Sequence, residues 1–270
     1  MRHALATSNA ASVLPMPQPG RTARRLGNVV RLGVRHPTWL YAAARARRRV
    51  RADRGRDFSL AEHRQFVRSA EEAIVEAFGI THADYRALAG RVRVPERGEH
   101  STWSAGDDLM AVTGAVVLHT APQTVVETGV AMGFTTAVIL AALDDNRRGH
   151  LHSVDMPPLQ VDARPFVGRA VPQELRGRWT LHVGPSEALL ADLARTVAPI
   201  DVFVHDADHT YDGQYEEFTR VWPHLGAGAA LISDDVANRA FLDFAQHVGA
   251  HPYLVARPDQ RAAVGLLRKS

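Results

Sequence analysis

From residue 121 onward, apolar and polar positions alternate between two kinds of segment. Short apolar runs rich in β-branched residues predict five strands, at residues 124–128, 150–155, 180–184, 201–205 and 229–233. Segments with helical spacing predict helices between or after them, at residues 135–144, about 172–178, 187–196, 213–222 and 241–248. Strands that alternate with helices predict a parallel sheet covered by helices.

The C-terminal end departs from this alternation. Residues 253–256 and 263–267 read as two strands, and the intervening segment, which contains Pro258, is short enough for a hairpin. The predicted fold class is therefore α/β, a Rossmann-like doubly wound sheet of seven strands that ends in an antiparallel hairpin.

The part of the chain before residue 121 predicts a helical N-terminal extension. Residues 1–20 are rich in Ala, Ser, Pro and Gln and are expected to be disordered. Helical spacing follows, including that across residues 59–89, with Phe66, Ala70, Ile74 and Phe78 on one face. The sequence thus predicts three parts: a basic arm at 1–56, a helical cap at 57–120 and the sheet domain at 121–270.

Charge is unevenly distributed along the chain. The first 56 residues contain thirteen Arg and one acid, Asp53, whereas the remainder is acidic. An Arg-rich arm can bind nucleic acid or anionic lipid, but no recognition motif accompanies the charge, so a solvated helix is the favoured interpretation and nucleic acid is disfavoured as a partner. The chain has no cysteine and no apolar run long enough to span a bilayer, and we expect a cytoplasmic protein.

Polar residues stand at the ends of the predicted strands, where open α/β sheets bind ligands. The first strand leads into Glu127-x-Gly129-x-x-x-Gly133, which does not match the dinucleotide fingerprint. Asp155 closes the second strand and can accept hydrogen bonds from ribose hydroxyls. Ser186 follows the third strand, either as a helix cap or beside an adenine.

Together these segments resemble class I S-adenosylmethionine-dependent methyltransferases, in which a glycine loop wraps the methionine part of the cofactor. Ala131 replaces the middle glycine of that loop. The segments VDMPPL, LHVGPSEALL, VHDADHTYDGQYEEF and LISDDV further resemble the bacterial small-molecule branch of the macrocin- and cephalosporin-biosynthesis type, whose members are often metal-dependent O-methyltransferases. The resemblance implies these cofactor-binding residues: Glu127, Gly129, Val130, Gly133, Asp155, Ser186 and Asp206.

The same resemblance predicts a metal site. It makes the strand ending at Asp206 a neighbour of the strand ending at Asp234 and Asp235, so three carboxylates converge. Such a cluster is unfavourable without a cation, and all-oxygen ligation suits Mg²⁺ or Mn²⁺. His209 and Asp208 are the candidate bases that deprotonate an acceptor hydroxyl, with His209 preferred because it titrates near neutral pH.

Several alternatives remain open at the level of sequence. His209, Asp234 and Asp235 can instead act as helix caps, which leaves a metal-independent methyltransferase with His209 as base. A catalytically silent binding protein tethered by its basic arm is another alternative. An Fe(II) site and a dehydrogenase are disfavoured, because a second histidine ligand and the dinucleotide fingerprint are not evident. The small-molecule acceptor and a homo-oligomeric state are left undetermined.

Overall fold

A computed structural model describes residues 29–31, 33–53, 58–95, 106–157, 167–256 and 262–270. Its strands are β1 (Val67–Arg68), β2 (Thr124–Thr128), β3 (His150–Asp155), β4 (Trp179–Val183), β5 (Ile200–His205), β6 (Leu225–Val236), β7 (Tyr253–Val255) and β8 (Ala263–Arg268). They form one eight-stranded sheet in the order β1-β7-β8-β6-β5-β2-β3-β4. The predicted α/β fold is confirmed, with one strand more than the seven predicted.

Helices connect most of these strands and cover both faces of the sheet. They are α1 (Pro37–Asp53), α2 (Ala70–Phe78), α3 (His82–Ala89), α4 (Asp107–Thr120), α5 (Phe134–Asp145), α6 (Ser186–Val197), α7 (Tyr211–Val221) and α8 (Ala240–Val248). Three 3₁₀ helices add Leu60–Phe66, Gln173–Arg178 and Trp222–His224. The segment predicted as a helix at about 172–178 is the second of these. Among the described residues, no helix combines the length and apolarity needed to cross a bilayer.

The strand pairings follow the predicted topology. β2 lies between β3 and β5, and both pairings are parallel, as are those of β3 with β4 and β5 with β6. β8 is antiparallel to β6 and to β7, which confirms the predicted C-terminal hairpin. Because β5 is buried on both faces, its central residues 202–204 form a continuous apolar run rather than an alternating one.

The helical spacing across residues 59–89 does not correspond to one continuous helix. The segment contains a 3₁₀ helix, then β1, which pairs in parallel with β7, and then α2 and α3. Ser69 and Thr81 each form a capping box with an acid three residues later, and Gly79 ends α2 at φ 67°. These boxes mark two separate helix starts that a simple 3.6-residue periodicity overlooks. β1 was missed because two residues are too few to show alternation.

The core consists of two apolar layers on either side of the sheet. One layer joins α2, α4 and α5 to residues such as Val125 and Val204, and the other joins α6, α7 and α8 to residues such as Val126 and Phe203. With both faces covered, polar groups at the carboxyl edge of the sheet are the ones left for a ligand. The division into three domains stays a prediction, and the disorder predicted for residues 1–20 lies outside the described residues.

A row of histidines lies on one face of β3 and β4. The ring centroids of His150 and His152 are 4.9 Å apart, and those of His152 and His182 are 5.8 Å apart. Burial, together with the neighbouring histidines, lowers the pKa of His152 to about 4. A histidine whose pKa is lowered by folding binds a proton more readily in the unfolded chain. A fall in pH therefore stabilises the unfolded chain relative to the folded protein.

We therefore predict that the protein loses stability as the pH falls from about 7 to about 5, because the unfolded chain takes up a proton that His152 in the fold resists. The variant His152→Gln should lose less over the same interval, as measured by urea unfolding at both pH values. His251→Gln, at an exposed histidine, is the matched control and should follow the parent. Equal losses in parent and His152→Gln would contradict this account.

Candidate functional site

A cavity of about 660 Å³ opens at the carboxyl ends of β2, β3, β4 and β5. This is the edge at which open α/β sheets bind ligands, and the volume is within the usual range of about 300–1,000 Å³ for small-molecule sites. The lining residues are Ala42, Ala46, Val50, Asp53, Gly129, Ala131, Val154, Asp155, Met156, Pro185, Ser186, Glu187, Asp206, Ala207, Asp208, His209 and Thr210. Four predicted cofactor residues are among them, namely Gly129, Asp155, Ser186 and Asp206.

The glycine loop after β2 is held in a conformation that only a residue without Cβ accepts at Gly129. Its φ is 82°, and an added Cβ would overlap the backbone carbonyl of Asp206. Gly133 also has a positive φ, and a Cβ there would lie 2.8 Å from the Cα of Gly168. Ala131, which stands at the middle glycine position, adopts φ 47°. Ala131 thus occupies a left-handed conformation that L-residues rarely adopt.

Asp155 fixes this loop from the end of the neighbouring strand. Its Oδ2 accepts hydrogen bonds from the backbone N–H groups of Val130 at 2.8 Å and Ala131 at 2.9 Å. Burial raises the pKa of Asp155, although the two N–H donors act against that shift. Since Oδ2 is engaged by the loop and the side chain lines the cavity, Asp155 couples the loop to whatever occupies the cavity. Val130 and Gly133 shape the loop without lining the cavity.

Glu127 lies beneath the loop and is fully buried. Its Oε2 accepts hydrogen bonds from Thr136 at 2.9 Å and Ser153 at 2.7 Å, and Trp179 donates to Ser153 in turn. Burial raises the pKa of Glu127 to about 8, while its buried Oε1 has no hydrogen-bond partner among the described residues. Direct contact between Glu127 and a cofactor stays a prediction, because its side chain does not line the cavity.

An acidic cluster lies at one side of the cavity. His205 of β5 pairs with Ser233 of β6, so the residues that follow, Asp206 and Asp234, emerge side by side. Together with His209 they offer three ligand atoms within 4.8 Å of one another. The predicted convergence of Asp206 and Asp234 is therefore present in the structure.

His209 lies between two carboxylates. Its Nε2 is 3.5 Å from Oδ1 of Asp206, and its Nδ1 is 3.3 Å from Oδ2 of Asp235. Burial acts to lower the pKa of His209, but the two carboxylates outweigh it and raise that pKa to about 10. The imidazole is therefore protonated at neutral pH in this arrangement and neutralises part of the acidic cluster.

The third predicted metal ligand, Asp235, is placed differently from the other two. Its side chain is 58% exposed, its φ is 45°, and its carboxylate contacts His209. Asp234 points into the cluster, where burial and the charges of Asp206 and Asp235 raise its pKa to about 7. Carboxylate oxygens such as those of Asp206 and Asp234 are donors that divalent cations prefer, so the donor set is of a kind that could hold one.

Asp208, the second predicted base, is engaged by other groups. Its Oδ1 accepts from the hydroxyl of Thr210 at 2.8 Å, and its Oδ2 accepts from Arg49 at 2.9 Å. Both residues line the cavity, and the side chain of His209 is the more exposed of the two, at 30% against 21% for Asp208. The arrangement therefore favours His209 over Asp208 as the group that faces an acceptor.

Two buried groups behind the site escaped the sequence prediction. Glu217 is fully buried and accepts from Thr128 at 2.6 Å, while its Oε2 lies 2.8 Å from Nδ1 of His205. Burial acts to raise the pKa of Glu217, yet His205 and the hydrogen-bond donors lower it overall. Gln214 is equally buried and donates to the backbone carbonyl of Asp234 at 3.2 Å. Both are polar positions on the inner face of α7, which a helical-wheel projection would have identified.

α1 was also missed as part of the site. The sequence assigned it to a basic arm, whereas the structure places it against the cavity, where Arg49 contacts Asp208. The residues Trp39, Ala42, Ala46, Arg49 and Asp53 follow one another at spacings of three and four. That spacing predicts one buried helical face, which was overlooked because arginines occupy the positions around it.

Comparison with protein families bears on the central part of the chain. Residues 126–236 match the model of a family described as a methyltransferase domain. The prediction of a methyltransferase is confirmed by this match. The matched range contains every predicted site residue, whereas α1 lies outside it. A comparison with curated protein sequences gave no significant match.

Solved structures with a similar course of the chain include several methyltransferases. The cofactor-bound protein Rv0187 from MTB is 17% identical, with 73% of this chain and 93% of that chain covered and a TM-score of 0.48. SAH-bound PaMTH1 from Podospora anserina is 14% identical, with 74% and 95% covered and a TM-score of 0.49. TomG from Streptomyces achromogenes, an O-methyltransferase in complex with SAM, is 19% identical, with 59% and 78% covered and a TM-score of 0.46. Substrate and metal are not transferred from these proteins to this chain.

We predict that Gly129→Ala destabilises the protein by about 1–3 kcal/mol or more, because the new Cβ meets the Asp206 carbonyl and φ 82° strains any L-residue. Gly177→Ala is the matched control, since a Cβ at Gly177 meets no atom within 4 Å. Chemical denaturation of the parent and both variants measures the difference. A Gly129→Ala variant as stable as Gly177→Ala would show that the close approach of this loop to β5 is not required.

Proposed function

We propose that this protein transfers the methyl group of S-adenosylmethionine to a hydroxyl group of a small molecule, with a divalent cation, Mg²⁺ or Mn²⁺, bound beside the cofactor. One observation carries the proposal. Gly129 and Asp155, which shape the cofactor loop, line the same cavity as Asp206 and His209 of the acidic cluster. A cofactor-sized cavity and a group of carboxylates therefore meet at one edge of the sheet.

The chain's own groups supply binding and orientation of the cofactor. Gly129 and Asp155 line the cavity, and Oδ2 of Asp155 holds the loop through the N–H groups of Val130 and Ala131. Such preorganised groups hold the sulfonium methyl, the electrophile that S-adenosylmethionine supplies, in line with an incoming oxygen. Ser186, at the start of α6, borders the same cavity.

His209 is the proposed acceptor of the hydroxyl proton. In the structure its two nitrogens face Asp206 and Asp235, which keep it protonated. A divalent cation at Asp206 and Asp234 would supply Lewis-acid stabilisation to the acceptor oxygen. Positive charge on those carboxylates also removes the attraction that holds the proton on His209, which leaves the imidazole able to accept one. Asp235 stays a predicted third ligand.

The cofactor half of the proposal predicts that the parent binds S-adenosylhomocysteine and that Asp155→Ala binds it about tenfold more weakly or worse, as expected for the loss of charged hydrogen bonds. Asp155→Asn, which keeps an oxygen for the loop amides, should retain the fold and still bind more weakly than the parent. Asp192→Ala, at a side chain that is 84% exposed, is the control. Isothermal titration measures all four proteins, and tighter binding of NAD than of S-adenosylmethionine would refute the assignment.

The metal half predicts that the parent binds Mn²⁺ and that Asp234→Asn weakens this binding by about tenfold or more, because the amide keeps the size of the carboxylate and removes its charge. Asp192→Asn on the exposed face of α6 should bind like the parent. Titration calorimetry and the electron paramagnetic resonance signal of free Mn²⁺ both report the affinity. If the parent binds neither Mn²⁺ nor Mg²⁺, the metal half fails and a metal-independent methyltransferase with His209 as base replaces it.

A further inference from the structure

One wall of the cavity comes from α1, a helix that lies outside the range matched by the methyltransferase family. Ala42, Ala46, Val50 and Asp53 line the cavity opposite the strand ends. The first three are spaced four apart and Asp53 follows three residues later, so they form one stripe along the helix. The cavity is thus enclosed by the sheet edge on one side and by α1 on another.

Contacts at its two ends fix α1 across this edge of the sheet. Near its start, Trp39 is 5% exposed and packs against Met156, which follows β3. At its other end, the carboxylate of Asp53 accepts a hydrogen bond at 2.8 Å from the backbone N–H of Tyr211, the first residue of α7. α1 therefore spans the edge from β3 to the segment after β5.

The buried side chain of Arg49 holds α1 between these two ends. The side chain of Arg49 is 7% exposed, and its guanidinium lies 2.9 Å from Asp208 and 2.7 Å from Glu216, with Glu187 at 3.9 Å. Removing one partner from such a buried arrangement leaves uncompensated charge, which is strongly unfavourable. Since Asp208 lies in the loop that carries Asp206 and His209, Arg49 links the position of α1 to that loop.

The small side chains of the stripe point to a ligand. A helix that served only to complete the core would fill the space above the strand ends, because protein interiors are close-packed. Ala42 and Ala46 instead leave a cavity of about 660 Å³ beside the helix, although the contacts described above hold the helix in place. The space is therefore kept open by the sequence of α1.

We propose that α1 is a wall of the cofactor site, in which Ala42, Ala46 and Val50 contact bound S-adenosylmethionine, and that Arg49 is a positioning residue that keeps the helix closed over it. The inference rests on the proposed function, because it takes the cofactor as the occupant of the cavity. It assigns cofactor contacts to a helix whose sequence reads as a detached basic arm.

Ala46→Trp tests the contact by filling the cavity from the helix. We expect this variant to bind S-adenosylhomocysteine about tenfold more weakly or worse by isothermal titration. Ala44→Trp places the same side chain at an exposed position of the same helix and should bind like the parent. Thermal melting of both variants shows whether each is folded.

A second measurement needs no substitution. Hydrogen exchange of the full-length protein, followed by mass spectrometry, should show that saturating S-adenosylhomocysteine slows exchange at residues 37–53. In stopped-flow displacement, Arg49→Ala should release S-adenosylhomocysteine several-fold faster than the parent, with partial rescue by Arg49→Lys and no change in Arg48→Ala, at an exposed arginine. A helix that only stabilised the fold would change the melting temperature without changing this release rate.

The outcomes separate the two proposals. If the parent does not bind S-adenosylhomocysteine, the proposed function fails. If the parent binds it, but Ala46→Trp binds equally well and residues 37–53 show no slowed exchange, the role of α1 is refuted and the proposed function stands. A release rate that is the same in parent and Arg49→Ala would refute the positioning role of Arg49.

Discussion

Repulsion among buried carboxyl groups at one edge of the sheet is the constraint around which the site is arranged. Burial raises the pKa of Glu127, of Asp155 and of Asp234, and the negative charge of Asp206 adds to each shift, so all four groups interact. Three of the four are stabilised in different ways. Glu127 has a pKa of about 8 and holds its proton near neutral pH, and Asp155 receives two backbone N–H groups. Asp206 has the imidazolium of His209 beside it.

Parallel strands explain why these acids meet. β2, β3, β5 and β6 all end at the same edge of the sheet. Asp155 is the last residue of β3, and Asp206 directly follows β5. Glu127 and Asp234 lie near the ends of β2 and β6. Charges placed at that edge are costly unless they are compensated, and the N–H groups of Val130 and Ala131 and the imidazole of His209 provide part of the compensation. The same repulsion makes the edge attractive to cations, so the electrostatic cost and the proposed chemistry have one origin.

Much of the fold could be predicted from the sequence because its central strands are short, apolar and bounded by polar residues. β2 and β3 begin and end where the pattern places them, and the C-terminal hairpin follows from two apolar runs around a short connection. β1 could not be predicted, because a two-residue strand acquires its identity from its partner, β7, rather than from its own pattern. Long-range pairing of this kind is invisible in local periodicity.

The candidate site divides along similar lines. The strand-end acids Asp155, Asp206 and Asp234 were predicted from their positions together with the resemblance, which supplied the order of the strands. Burial could not be deduced in the same way, so the sequence did not show that Glu127 lies fully buried beneath the loop. Arg49 was missed because a run of arginines suggests a solvated surface, whereas one member of the run is buried among three carboxylates that are distant in sequence.

The attachment of the N-terminal segment has a consequence for how the chain is made. Val67 of β1 pairs with Leu254 of β7, and Asp53 of α1 caps a helix that begins at Tyr211. Both partners leave the ribosome long after the segment itself, so these contacts have a high sequence separation and form late. During synthesis Trp39 can contact its near neighbours His36 and Ala43 but not yet Met156, and the arginines around it keep the segment charged. The basic composition thereby acts as a solubilising feature of the nascent chain, before it has any role in the folded protein.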